Sequence, residues 1–172
     1  MNKLFCLISV ILILSACHKK QFVLSSPERK QFVLSSPEID IVRKAGDAYF
    51  KADWKSLKSV FAENARIWIN APRLRDTKIT VDQLMDSIKK NLLNYSEYKI
   101  ARNPDYENPG YAMITDDEGA KWVHSWITWL GKTRNGKEII VPVFLVAHFK
   151  QDKIVILFAH FNALPAYLAN KQ

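Results

Sequence analysis

The sequence predicts an α+β domain, with three helices first and a meandering antiparallel sheet after them. Three features carry this reading. Between Pro37 and Leu92 most apolar residues recur at helical spacing. After Tyr95 they fall in runs rich in β-branched and aromatic residues. Clusters of Pro, Gly, Asn and Asp separate those runs and read as turns.

The first helix opens at Ser36-Pro37-Glu38, which supplies a capping hydroxyl, a proline at the first helical position and an acid in the first turn. It runs to about Ala52, with Val42, Ala45, Ala48, Tyr49 and Ala52 on its apolar face. Asp53 caps a second helix whose stripe is Trp54, Leu57, Val60 and Phe61, ending near Asn64. Arg66 to Asn70 reads as a strand stopped by Ala71-Pro72. Thr80-Val81-Asp82-Gln83 is a capping box that opens a third helix through Leu84, Ile88 and Leu92. Strands are expected at Tyr98–Arg102, Tyr111–Thr115, Lys121–Leu130, Glu138–Lys150 and Lys153–Asn162, with turns at Asn135-Gly136 and Gln151-Asp152.

Ahead of this domain, Met1-Asn2-Lys3 is a positive n-region and Leu4–Leu14 an apolar run too short to span a bilayer securely. It ends in Leu14-Ser15-Ala16-Cys17, which resembles the bacterial lipobox. The resemblance implies a lipoprotein signal peptide over 1–16, cleavage before Cys17, and acylation of that cysteine, with the protein held to a membrane of the bacterial cell envelope and facing the periplasm. Residues 17–36 are then a tether. Within it Gln21-Phe22-Val23-Leu24-Ser25-Ser26-Pro27-Glu28 is repeated, residue for residue, at 31–38, either as linker or as a strand able to pair with a sheet edge. The mature chain keeps one of the 2 cysteines, so no internal disulfide can form, and a core drawn from a 48% hydrophobic composition must hold the fold. The net charge of +8 is dispersed, without the basic runs and interleaved aromatics of a nucleic-acid groove.

Two stretches carry a further resemblance. Phe61-Ala62-Glu63-Asn64-Ala65-Arg66-Ile67-Trp68 and the late hairpin Phe149-x-x-Asp152-Lys153-Ile154, ending in Phe161-Asn162, look like the SnoaL-like branch of the nuclear-transport-factor-two-like superfamily. This implies that 37–172 forms a cone, a cystatin-like α+β roll in which a curved antiparallel sheet wraps three helices. A pocket at the open end and dimerisation through the sheet come with it. Catalytic members place an Asp where this chain has Asn70, and SnoaL-like sequences often have one where it has Asn162. The steroid-isomerase set also fails, since the matching positions near Ala45 and Phe144 or Leu145 are apolar.

The residues that could meet in the pocket follow from register. If Lys150 pairs with Lys153, and Arg134 with Lys137, one sheet face carries Trp122, His124, Trp126, Thr128, Val143, Leu145, Phe158, His160 and Asn162. That face mixes aromatic walls with hydrogen-bonding tips, as a small-molecule site requires. Trp68, Asn70, His124, Trp126, His160 and Asn162 are therefore the expected ligand-binding residues, and His160 and His124 the candidates for acid–base work. The sequence contains no phosphate loop, nucleophile elbow, Cys-x-x-Cys or His-Glu-x-x-His motif, and no metal or cofactor is expected. Three readings follow. The first is a membrane-anchored domain that binds a small, partly apolar ligand without catalysis. The second is a SnoaL-like isomerase, cyclase or hydrolase using a histidine, and the third a dimeric interaction module with a filled pocket.

Overall fold

The computed structural model describes residues 32–70, 77–101 and 110–170. The signal peptide, Cys17, the first octapeptide copy and the Ala71-Pro72 strand stop lie outside the described residues. The elements are α1 (Pro37–Phe50), α2 (Trp54–Ser59), β1 (Phe61–Ile69), α3 (Val81–Leu92), β2 (Tyr95–Ala101), β3 (Tyr111–Thr115), β4 (Lys121–Thr133), β5 (Glu138–Lys150), β6 (Lys153–Phe161) and α4 (Leu164–Asn170).

The caps form as their sequences predict. Ser36 accepts from Ile39 N, Asp53 from Ser56 N, and Thr80 and Gln83 close a reciprocal capping box. The second helix is shorter than its apolar spacing suggests. Phe61 leaves it to begin β1 opposite Ile154, and the Val60 carbonyl accepts from Ile154 N at 2.9 Å, so sheet pairing overrides a weak helical pattern. No expectation covered α4, although Pro165 in its first turn is a helix-start signal.

The sheet runs β1-β6-β5-β4-β2, and β3 pairs with the β4 edge beside β2. All neighbours are antiparallel except β1 and β6, which run parallel because α3 and the other four strands intervene between them in the chain. Register shifts, of one residue in β2 and in the β5–β6 ladder and larger between Phe61 and Arg66 of β1, interrupt the sheet, and such bulges bend strands. On the inner face, Ile39, Leu57, Phe61, Ile67, Leu84, Val123 and Phe149 join one buried core.

The second octapeptide copy is docked. Val33 and Met113 exchange both backbone hydrogen bonds, at 3.0 and 2.8 Å, and Glu38, only 5% exposed, pairs with Lys121. Burial pushes the Glu38 carboxyl up. The Lys121 ammonium, with hydrogen bonds from Ser36 and the backbone, outweighs this and holds it below its ordinary value. The duplication makes a clean test. Deleting 21–30 restores the same octapeptide in front of Ile39, so urea denaturation should find stability changed by less than about 0.5 kcal/mol, whereas Ser36→Ala should cost about 1 kcal/mol. A deletion as costly as the lost cap would mean the first copy packs on the domain.

Candidate ligand-binding cavity

Register decides which side chains face inward. Lys150 does pair with Lys153, but the ladder shifts by one residue between His148 and Phe149. At the other hairpin Lys132 pairs with Glu138, one residue away from the register an Arg134–Lys137 pair would set. The turn is a three-residue loop with Gly136 at φ +86°, and Thr133 Oγ1 accepts from Lys137 N at 3.0 Å. The two one-residue slips turn β5 over relative to β4 and β6, so that Phe144 and not Leu145 shares a face with His124 and His160, and the face bearing those histidines is the outer one. Ser125, Ile127, Trp129, Val143, Leu145, Ala159 and Phe161 point inward, and Trp122, His124, Trp126, Phe144, His148, Phe158 and His160 share the outer face.

The inward residues, with α1, α3 and α4, enclose a cavity of about 580 Å3, a volume typical of small-molecule sites. Its floor is buried: Leu57, Phe61, Leu84, Ser125, Ala147 and Ile154. Its mouth is marked by the exposed lining residues Ser87, Asn91, Asn162 and Ala163. Among the described lining residues there is no Asp, Glu, His, Lys or Arg.

Three polar features stand on this apolar wall. Ser125 is 1% exposed and, among the described residues, no group hydrogen-bonds its Oγ. A buried hydroxyl without a partner calls for an explanation, and a ligand group is one. Tyr49 Oη accepts from Trp129 Nε1 at 3.2 Å. Burial pushes the Tyr49 hydroxyl up to about 12, against the lowering effect of the Trp129 hydrogen bond, so it stays protonated at neutral pH. The Trp129 indole lies across Gly131 and packs edge-on against Tyr95, with ring centres 4.8 Å apart.

The expected site residues are placed elsewhere, with one exception. Trp68 is buried on the outer face, stacked on Phe158 at 5.2 Å, while Arg66 lies over its ring. Asn70 takes a left-handed conformation, φ 49°, at the end of β1. Its Oδ1 accepts from Phe161 N at 2.8 Å, which ties β1 to β6. His124 and Trp126 stack on the outer face, Trp126 being 52% exposed, and His160 is exposed there opposite Phe144. Burial holds the imidazoles of His124 and His148 below their ordinary value and keeps them neutral. Only Asn162 borders the cavity, at its mouth, with its Oδ1 accepting from Leu164 N at 3.0 Å. Among the described residues no three His, Cys, Asp or Glu side chains gather as a metal site, and no helix is long and apolar enough to cross a membrane.

Sequence reasoning passed over Ser125, Tyr49 and Trp129. An aromatic residue two positions before a strand glycine, as in Trp129-Leu130-Gly131, was a usable signal that a ring folds over that strand.

No protein-family model and no curated protein matches the chain. Solved structures do. A protein of unknown function from Burkholderia pseudomallei, described as NTF2-like (NTF2 being nuclear transport factor two), is 17% identical. The match covers 80% of this chain and all of that one, with a TM-score of 0.57. The pinacolase BvnE from Penicillium brevicompactum is 14% identical over 80% of this chain and 92% of its own, with a TM-score of 0.61. A protein with a ketosteroid isomerase-like fold from Catenulispora acidiphila, solved with trimethylamine, is 11% identical over 77% and 92%, with a TM-score of 0.53. At such identities the likeness concerns the backbone alone, and on that footing the chain has the cone-shaped α+β fold of the nuclear-transport-factor-two-like proteins.

Proposed function

We propose that the chain is a bacterial lipoprotein, anchored through acylated Cys17 in the cell envelope and facing the periplasm. Its domain binds a neutral, largely apolar small molecule in the conical cavity without transforming it. One observation carries the binding claim: among the described residues, the cavity wall holds no side chain that titrates near neutral pH. General acid–base catalysis needs such a group, and Tyr49, at about 12, is not one. Enzymatic readings resting on His124 or His160 place the chemistry on the sheet face opposite the cavity. The membrane reading is supported by the resemblance of Leu14–Cys17 to a lipobox.

The outer face supports a second element of the proposal. Its aromatic rings gather in clusters: Trp122 stacks on His148 at 4.4 Å, His124, Trp126 and Phe144 meet at 5.5 to 6.1 Å, and Phe158 stacks on Trp68 at 5.2 Å. A half-exposed tryptophan in such a cluster fits burial against a second copy of the chain.

Three probes of one shape test the binding claim: 2-naphthol, naphthalene and 2-naphthoate. By equilibrium titration 2-naphthol should bind about 100-fold more tightly than the anion, because the described wall offers the carboxylate no cation to offset its lost hydration. Ser125→Ala should reduce the preference for 2-naphthol over naphthalene by about 10-fold. Equal affinity for 2-naphthoate, or a preference untouched by Ser125→Ala, would contradict the proposal.

A further inference from the structure

We infer that the rim of the cavity is itself a membrane-docking surface, seated on an anionic phospholipid bilayer, so that an apolar ligand passes between bilayer and cavity without crossing water. This rests on the proposed binding of such a ligand. It adds a second membrane contact, made by the folded domain rather than by the lipid on Cys17.

The argument starts at α4. Ala163 and Ala166 turn toward the cavity, and Ala169 packs on Tyr95, Ile139 and Val141. Leu164, Tyr167 and Leu168 are left 54 to 55% exposed on the helix's far side. Across the mouth, Asn91 lines the cavity, and two residues on Leu93 is 65% exposed. Arg134 Nε donates to the Leu93 carbonyl at 2.7 Å, and Leu93, Arg134 and Ala169 border one small cleft, so the two sides of the rim meet. Large apolar side chains are thus concentrated around the opening of an apolar cavity.

Charge chooses the occupant. Lys90 stands in the last turn of α3 next to the rim residue Asn91, Lys89 in the same turn reaches over the Trp54 ring at 5.8 Å, and Arg134 lies beside Leu93. Asp86 adjoins the two lysines, and Glu138 pairs with Lys132 on the hairpin that carries Arg134. Exposed apolar tips flanked by Lys and Arg are the composition of an interfacial segment, with the apolar part entering the headgroup boundary and the cations meeting anionic lipid. A second copy of the chain is a poorer occupant. Four side chains cover far less than the about 800 Å2 that each partner buries in a stable interface. A bilayer also makes sense of the position, because it is the phase in which a neutral apolar ligand dissolves.

The test uses the mature chain, residues 17–172, carrying Cys17→Ser so that no lipid contributes. Flotation with phosphatidylglycerol–phosphatidylethanolamine vesicles should recover the protein with the vesicles, and Leu164→Asp with Leu168→Asp should lower the partition coefficient about 10-fold or more. Lys89→Glu with Lys90→Glu should lower it similarly on these vesicles and little on neutral phosphatidylcholine. Binding of 2-naphthol in all variants should stay within about 2-fold of the parent, which reports an intact fold and cavity. No flotation of the parent chain, partition indifferent to both pairs of substitutions, or a rim-dependent dimer without vesicle binding would each overturn the inference. Retained 2-naphthol binding in those cases would leave the cavity reading standing, and its loss in the parent would overturn that reading separately.

Discussion

Ser125→Asp is expected to destabilise the domain by about 3 kcal/mol at pH 8 and to become nearly harmless in acid. Ser125 stands on the cavity floor, 1% exposed, between Tyr111 and Leu145 across the neighbouring strands. A carboxylate there loses its water and gains no cation, since the described cavity wall carries none. Burial disfavours the charged form, so the folded-state pKa lies above the unfolded value of about 3.9. The penalty is therefore full above the folded pKa, shrinks as pH falls through it, and is gone below the unfolded one. Urea denaturation from pH 8 to pH 4 measures this, with Ser125→Asn as an uncharged control. A loss independent of pH would mean that water or a cation reaches Ser125, and the floor would not be apolar.

The second large effect is expected at Gly131. A Cβ there would lie 2.1 Å from the Trp129 ring, a distance that no adjustment of the glycine itself relieves. The indole must swing away, giving up its hydrogen bond to Tyr49 and its edge contact with Tyr95. Gly131→Ala should cost about 2 kcal/mol and Gly131→Val more, as overpacking does, with a red shift in tryptophan emission as the ring enters water. Trp129→Leu should rescue much of the Gly131→Ala loss, because the clash is between those two positions. Additive losses in the double variant would show that the ring does not lie over the glycine.

These two residues also show where sequence reasoning reached and where it stopped. Caps, helix starts and strand order depend on local chemistry, and Ser36, Asp53 and Thr80 do what such residues do wherever a helix needs a first-turn acceptor. Sheet facing is different, because side chains alternate with a period of two and any odd slip inverts the assignment. Here the Arg134–Gly136 loop is three residues rather than two, and a bulge sits at His148/Phe149. Each slip was invisible in composition, because both faces of β4 and β5 are apolar. The histidines drew attention through their chemistry, yet they belong to the aromatic outer face. Asn70, at the position where an acid would signal catalysis, is spent on the backbone of β6. The parallel β1–β6 pairing arises from tertiary placement that neither periodicity nor capping signals encode, whereas α4 carried a start signal in Pro165 that went unread.

The central claim, that the ligand site is the interior of the cone, is tested most directly by a crystal structure of the domain with 2-naphthol. The account predicts the ring system inside the cavity, among Leu57, Leu84, Leu145 and Leu157, with its hydroxyl within about 3 Å of Ser125 Oγ. A naphthol stacked instead on the outer face, against Trp126 and His124, would contradict it.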